Sequence, residues 1–269
     1  MRCGPYMVKC PVMKELTIAK RAARQAGAVL MEHLGGLKDV RYKSLRDPVG
    51  EADRASEALV ANIIREAFPN HGFLGEEETA WKGTGGRWIV DPLDGTVNYA
   101  HGYPCFCVSI AYEKDGEMVV SVVFDPVKRE MFHAVKGQGA FLNGKPIHVS
   151  KTRSLIKSLV VTGFPYDTQP NPGNIFRDFK NMCMAAQGVR RDGSAALDLC
   201  YIACGRFDGF YELRLKPWDT AAGALIVREA GGRVTNFKGE KFSLEMDNML
   251  ASNGLVHKEM MGVLRPHNL

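Results

Sequence analysis

The stretch WIVDPLDGT (residues 88–96) governs the reading of the whole chain. Trp88, Ile89 and Val90 form a short apolar run that ends at polar and turn-forming residues, the pattern of a buried strand. Asp91 stands at its end. Pro92 has no N–H to give a central sheet, which predicts that the chain turns there. Asp94 follows three residues after Asp91, so the two carboxylates point into one space across that turn. Gly95 lets backbone approach a ligand closely. Exposed N–H groups at such a turn, above all one opening a helix, bind phosphate oxygens. Taken alone, D-x-x-D is equally a turn and capping signal, so the stretch needs support from elsewhere in the chain.

Working outward, Leu16, Ala19, Ala23, Ala26 and Leu30 make one stripe of a helix over about 14–34, ended by Gly35-Gly36. A second helix is expected from about Asp53 to Phe68, with Asp53 read alone as its N-cap and Pro69 closing it. GFLG (72–75) is a short strand running into Glu76, Glu77 and Glu78. The glycines of WKGTGG do not follow a strand and open a helix, so they are a loop and no dinucleotide fingerprint. From Arg87 the texture turns to strands: RWIVD, CFCVSIAYE, MVVSVVFDP and REMFHAV. Asp115-Gly116 and Asn143-Gly144 are tight-turn dipeptides, so parts of this region are antiparallel hairpins. SLVVTGF (158–164) is a further strand, and the loop TQPNPGN leads into a helix over about 174–186. Gly193-Ser194 opens a helix, FDGFYELR is a strand, and Pro217 starts a helix ending at Gly231-Gly232. GRVTNF and NMLASN are strands, and a last helix follows Gly254. The order is helices, a strand-rich middle, then alternating helix and strand. The expected class is α+β, with no linker and no internal repeat. Residues 1–150 and 151–269 form two parts of one unit that share an interface.

Composition narrows the class of function. Of 269 residues, 45% are hydrophobic and 24% charged, with 28 Gly and 13 Pro. That excludes disordered and collagenous chains. No apolar run reaches the length of a membrane span, and the first 17 residues hold no signal-peptide core, so a cytoplasmic protein is expected. The net charge of +5 is mild and no basic block occurs, so a nucleic-acid or transcription partner is not indicated. Seven cysteines without a C-x-x-C pair read as reduced thiols and not as a zinc site. Cys105 and Cys107 are expected on one strand face, and Cys200 and Cys204 on one helix face, as small buried hydrophobes.

Three more acidic positions support the D-x-x-D stretch. Glu76 and Glu77 follow a strand, where adjacent confined carboxylates repel unless a cation or proton intervenes; a solvated acidic loop is the plainer alternative. Asp219 lies in the first turn of the helix from Pro217, where the helix dipole alone would favour it.

Together, GEE (75–77), WIVDPLDGTVNY (88–99), GSAALDLCYIACGRFDGFYE (193–212) and WDTAAGALIVREAGG (218–232) resemble the inositol monophosphatase family of magnesium-dependent, lithium-sensitive sugar-phosphate phosphatases. The resemblance covers roughly residues 14–265, with the motifs in order. Thr162-Gly163-Phe164-Pro165 is similar to the bacterial members. Gly50 stands where the family often has threonine. The implied fold is a layered αβαβα sandwich, and the family is usually dimeric, which implies a homodimer.

The resemblance also implies roles. Glu76, Asp91 and the backbone carbonyl of Leu93 would hold one Mg²⁺, and Asp91, Asp94 and Asp219 a second. Glu76 would reach a weaker third ion through water. All-oxygen ligands suit Mg²⁺. Phosphate monoesters hydrolyse so slowly that enzymes supply accelerations up to ~10²¹-fold. Two ions about 4 Å apart stabilise the attacking and leaving oxygens. Thr96, with Glu76 and Asp53, would orient the attacking water and accept its proton. The amides of Gly95 and Thr96 would cradle phosphate beside Asp94. Glu212 would bind sugar or inositol hydroxyls, with Gly193, Ser194 and Ala195 bringing a helix N-terminus beside them; a solvated strand end is the alternative for Glu212. Arg190 would contact the substrate or pair across an interface. The implied activity is hydrolysis of inositol monophosphates. Rivals are a sister phosphatase acting on fructose 1,6-bisphosphate, histidinol phosphate or 3′-phosphoadenosine compounds, and an RNA or transcription-complex binding protein on the same fold. Val97-Asn98-Tyr99 after DGT favours the inositol type over the nucleotide type, which usually has Lys or Arg there.

Overall fold

The computed structural model describes residues 12–34, 41–44, 47–77, 79–165 and 174–264. Cys3, Cys10, the Gly35-Gly36 stop, Glu78 and most of the TQPNPGN loop lie outside them. The elements are α1 (Met13–His33), β1 (Arg41–Ser44), β2 (Asp47–Val49), α2 (Glu51–Ala67), β3 (Gly72–Gly75), β4 (Ala80–Trp81), β5 (Arg87–Asp94), α3 (Thr96–Ala100), β6 (Cys107–Lys114), β7 (Glu117–Asp125), β8 (Glu130–Val135), β9 (Ala140–Leu142), β10 (Lys145–Ile147), β11 (Leu159–Thr162), α4 (Ile175–Ala185), β12 (Gly188–Arg190), α5 (Ala195–Ala203), β13 (Gly209–Leu213), α6 (Pro217–Glu229), β14 (Arg233–Thr235), β15 (Asn248–Ser252) and α7 (His257–Leu264).

Strand alternation builds the layers. In the eight-stranded sheet, ordered β10-β9-β8-β7-β6-β5-β3-β4, Trp88, Val90, Val108, Ile110 and Val122 face α1 and α2. Ile89, Cys107, Ala111 and Val123 face the opposite way, toward α5 and α6. The five-stranded sheet, ordered β12-β11-β13-β15-β14, repeats the device. Val161, Phe210 and Ala251 face α5 and α6, while Val160, Tyr211 and Leu250 face α4 and α7. Period-2 side chains on sheets buried on both faces give three separate apolar layers. The result is an α+β fold layered α-β-α-β-α. Helices α5 and α6 occupy the middle layer because they are apolar nearly all round. Among the described residues no helix is long and apolar enough to cross a membrane.

Both expected hairpin turns form. Asp115 and Gly116 have φ of 52° and 76°, and Asn143 and Gly144 have 49° and 79°, as two-residue turns of this kind require. Close packing of α1 uses small residues: a Cβ on Gly27 would come within 2.8 Å of the Phe124 ring.

Four local expectations are corrected. Strand β5 does not leave the sheet at Pro92. Asp91 pairs with Ser109 and Asp94 with Cys107, so one extra residue bulges between them. Pro92 sits in that bulge, where no ladder N–H is needed, and its carbonyl accepts a 2.9 Å hydrogen bond from Ser56 Oγ. Asp53 is not the N-cap of α2. Gly50 holds that position in extended backbone, and Asp53 reaches back from the third helical position to accept its N–H at 2.6 Å. Cys105 lies before β6 and does not share a strand with Cys107, though both are buried. Cys204 ends α5 as its cap instead of lying within it. All five described cysteines are free thiols.

Candidate active site

Each acidic residue is placed by the start or end of an element. Asp91 and Asp94 flank the β5 bulge, which shifts the end of the strand against β6. Leu93 N–H donates to Asp91 Oδ1 at 3.0 Å, and Thr96 Oγ1 donates to the Leu93 carbonyl at 3.1 Å. Gly95 has φ of 95°, and a Cβ there would lie 2.8 Å from the Cys105 carbonyl; glycine is what allows β5 to pass into α3. Tyr99 anchors α3 through a 2.6 Å bond from its hydroxyl to the Leu30 carbonyl. Asp219 stands in the first turn of α6, where Lys216 N–H donates to its Oδ2 at 2.7 Å. Ser109 Oγ reaches the Trp218 carbonyl at 3.4 Å and fixes that turn against β6. Glu76 follows β3, and Glu57 secures the same turn by accepting the Glu77 N–H at 2.8 Å and the Thr79 N–H at 3.1 Å.

The larger sheet meets the middle helical layer at Asp94. Its Oδ2 accepts bonds from Ser194 Oγ at 2.6 Å and from the Ala196 N–H at 2.7 Å, so the carboxylate caps α5, whose dipole favours it.

A cleft of about 490 Å³ gathers Glu76, Asp94, Gly193, Ser194, Ala195, Glu212 and Asp219. Of the other expected residues, Asp91, Leu93 and Asp53 are buried and do not line it, nor do Gly95 and Thr96. Arg190 lies exposed at the end of β12, its guanidinium on the Val189 carbonyl. Its neighbour Arg191 lines the cleft instead, and adjacent basic residues carry no sequence signal to tell them apart. Asp198 and Lys216 also line it without a sequence signal of their own, and so does Gly163. Gly163 does leave a trace, in TGFP: a Cβ there would come within 2.3 Å of the Glu212 carboxylate.

The electrostatics are those of crowded acids. Burial pushes the Asp91 carboxyl well above the usual range, and the charges of Glu76, Asp94 and Asp219 push it further. Burial and then Asp94 do the same to Asp219. Asp94 is raised by burial but held down by its bonds from Ser194 and Ala196. Burial carries Glu212 to about 8 against the pull of Arg191. A hard cation relieves such crowding. Among the described residues no group of three or more His, Cys, Asp or Glu side chains is placed to hold a metal ion by itself. Mg²⁺ keeps several waters and takes few protein carboxylates directly, so an open set of acidic oxygens fits it, whereas zinc would want His or Cys.

The sequence signature of the inositol monophosphatase family matches residues 13–267. The chain belongs to the inositol monophosphatase family. Family members are metal-dependent phosphatases. The chain is 43% identical over 260 residues to a Nus factor SuhB of Pseudomonas aeruginosa, covering 94% of this chain and 96% of that one. It is 43% identical over 256 residues to an inositol-1-monophosphatase of Synechocystis, covering 93% and 88%. Among solved structures, an inositol monophosphatase from Anabaena superposes with a TM-score of 0.87 at 43% identity, covering 95% and 96%. The family assignment makes the acid-lined cleft the candidate site of phosphate-ester hydrolysis.

Proposed function

We propose that this chain hydrolyses inositol monophosphates to inositol and phosphate with Mg²⁺ as cofactor. The observation that carries this reading is the convergence of Glu76, Asp94 and Asp219 with Glu212 and the start of α5 on one cleft. Glu76, Asp91, the Leu93 carbonyl, Asp94 and Asp219 are the groups that would hold two ions, with a weaker third reached by Glu76. When bound, Mg²⁺ supplies positive charge to the phosphoryl oxygens and acidifies the attacking water. Thr96 Oγ1 orients that water. The Glu76 and Asp53 carboxylates accept its proton. The Gly95 and Thr96 amides cradle the phosphate, and Glu212 with Gly193, Ser194 and Ala195 binds the hydroxyls of the leaving alcohol. Water attacks phosphorus, the ester P–O bond breaks, and the leaving oxygen takes a proton from water. In this reading residues 1–150 and 151–269 act as two parts of one catalytic unit, and the bond from Ser194 to Asp94 supports that. We also take the protein to be cytoplasmic, where free thiols stay reduced, and to work as a homodimer, which light scattering of the purified protein tests.

The test is phosphate release across a panel of inositol 1-phosphate, fructose 1,6-bisphosphate and histidinol phosphate, with Mg²⁺ and with excess EDTA. Preference for the inositol ester with Mg²⁺ supports the reading. Full activity in EDTA overturns the metal roles, and preference for another ester selects a sister phosphatase. A second reading, a transcription role, is favoured by the relatives named Nus factor. Asp94→Asn separates the two, since it should end hydrolysis and spare a binding role.

A further inference from the structure

Helix α5 carries one acid that the metal and water roles leave unused. Asp198 lies in its first turn and is 1% exposed, yet it lines the cleft beside Arg191 and Glu212. Its Oδ1 is buried with no hydrogen-bond partner among the described residues. Burying a polar group without a partner destabilises a fold, and such a group in a native structure calls for a functional or ligand-based explanation. A first-turn acid gains something from the helix dipole, but that gain does not require a buried oxygen facing a cleft.

The surroundings say what would satisfy it. The Asp198 N–H bonds the Ser194 carbonyl at 2.9 Å. Asp198 is thus one helical turn, about 5.4 Å, beyond the residue that holds Asp94. Its charged neighbours are Asp192, Glu212 and Asp94, with Arg191 opposing them. Asp198 shares the cleft lining with Glu212 and Arg191. Burial, then Asp192, push its carboxyl well above the usual range, the direction that favours a group able to donate as well as accept. A substrate hydroxyl does both.

We propose that Asp198 is a specificity-determining residue that hydrogen-bonds a hydroxyl of the polyol portion of the substrate, next to Glu212. This deepens the phosphatase reading above and rests on it.

The experiment compares Asp198→Leu, which keeps bulk and removes both hydrogen-bonding functions, with Asp198→Asn, which keeps a donor and an acceptor. Steady-state kinetics with Mg²⁺ are measured on inositol 1-phosphate and on phenyl phosphate, an ester without ring hydroxyls, alongside Tm. Asp198→Leu should lower kcat/KM for inositol 1-phosphate roughly ten-fold or more and leave phenyl phosphate within about three-fold. Its Tm should hold or rise, because an unpartnered buried carboxyl has gone. Asp198→Asn should restore the inositol ester to within about three-fold of wild type. If Asp198→Leu does not fold, Asp198→Ala serves in the same comparison. Equal losses on both esters, no loss on the inositol ester, or failure of Asn to rescue overturns the role of Asp198. A wild-type protein inactive on both esters overturns the phosphatase reading itself.

Discussion

Ser194 Oγ donates a 2.6 Å hydrogen bond to Asp94 Oδ2 across 100 residues of sequence. It joins the β5 bulge of the larger sheet to the start of the middle-layer helix α5. Hydrogen bonds to charged groups are worth about 1.5–3 kcal/mol, and a partner that orients a metal-binding carboxylate typically changes metal affinity about 10–100-fold. Ser194→Ala should therefore raise the Mg²⁺ concentration giving half-maximal activity by about ten-fold or more. Titration of activity with Mg²⁺ checks this. An unchanged requirement would mean that the bond holds β5 against α5 without aiming Asp94.

Thr96 hydrogen-bonds the Leu93 carbonyl at 3.1 Å and opens α3. If it orients the attacking water, Thr96→Ala should lower kcat strongly, with little change in KM or in the Mg²⁺ requirement. A rise in KM alone would assign Thr96 to substrate binding.

Glu212 gives a pH prediction with a definite sign. Its carboxyl titrates at about 8 in the fold against an ordinary 4.5, so between those values the native state keeps a proton that the unfolded chain has released. Stability is then highest below the lower value and falls as pH rises toward the upper one. Metal-free Glu212→Gln cannot ionise. It should match wild type at the acid end of that window and become progressively more stable than wild type toward the alkaline end. Thermal unfolding in EDTA across the window reads the gap, and a constant gap would show that Glu212 is not the titrating group.

The same variant tests substrate reading. Above about pH 8, where Glu212 is ionised, charge-assisted bonds to hydroxyls are lost in Glu212→Gln, so kcat/KM for inositol 1-phosphate should fall about ten- to a hundred-fold. Glycerol 2-phosphate, without the ring hydroxyls, should lose less. Equal loss on both esters would make Glu212 a general support of the site.

Lithium sensitivity is a property of the family. Li⁺ is small and hard but carries half the charge of Mg²⁺, so at the Asp219 position it would retain product phosphate without sustaining turnover. Asp219→Asn should lose most activity, and its residual activity should be less sensitive to Li⁺. Unaltered inhibition of that residual activity would place Li⁺ elsewhere.

Local sterics made much of this protein readable from sequence. Asp115-Gly116 and Asn143-Gly144 reverse the chain because those residue types tolerate positive φ. The apolar surfaces of α5 and α6 require a central layer whatever surrounds them. The acidic motifs and their order are those of the family. Tertiary packing decided what no local signal specifies. Pro92 stays in its strand because Ser56 from α2 and the bulge against β6 accommodate it. One difference is local: Asp53 stands at the third position of α2 because Gly50 supplies the extended residue and the N–H that its carboxylate binds. Arg191, and not Arg190, reaches the cleft, and Asp198 is buried beside it. The placement of Arg191 and Asp198 depends on two sheets closing on one helical layer, which brings residues about a hundred positions apart into contact, as Asp94 and Ser194 show; sequence periodicity records which face a side chain takes, not what will lie opposite it.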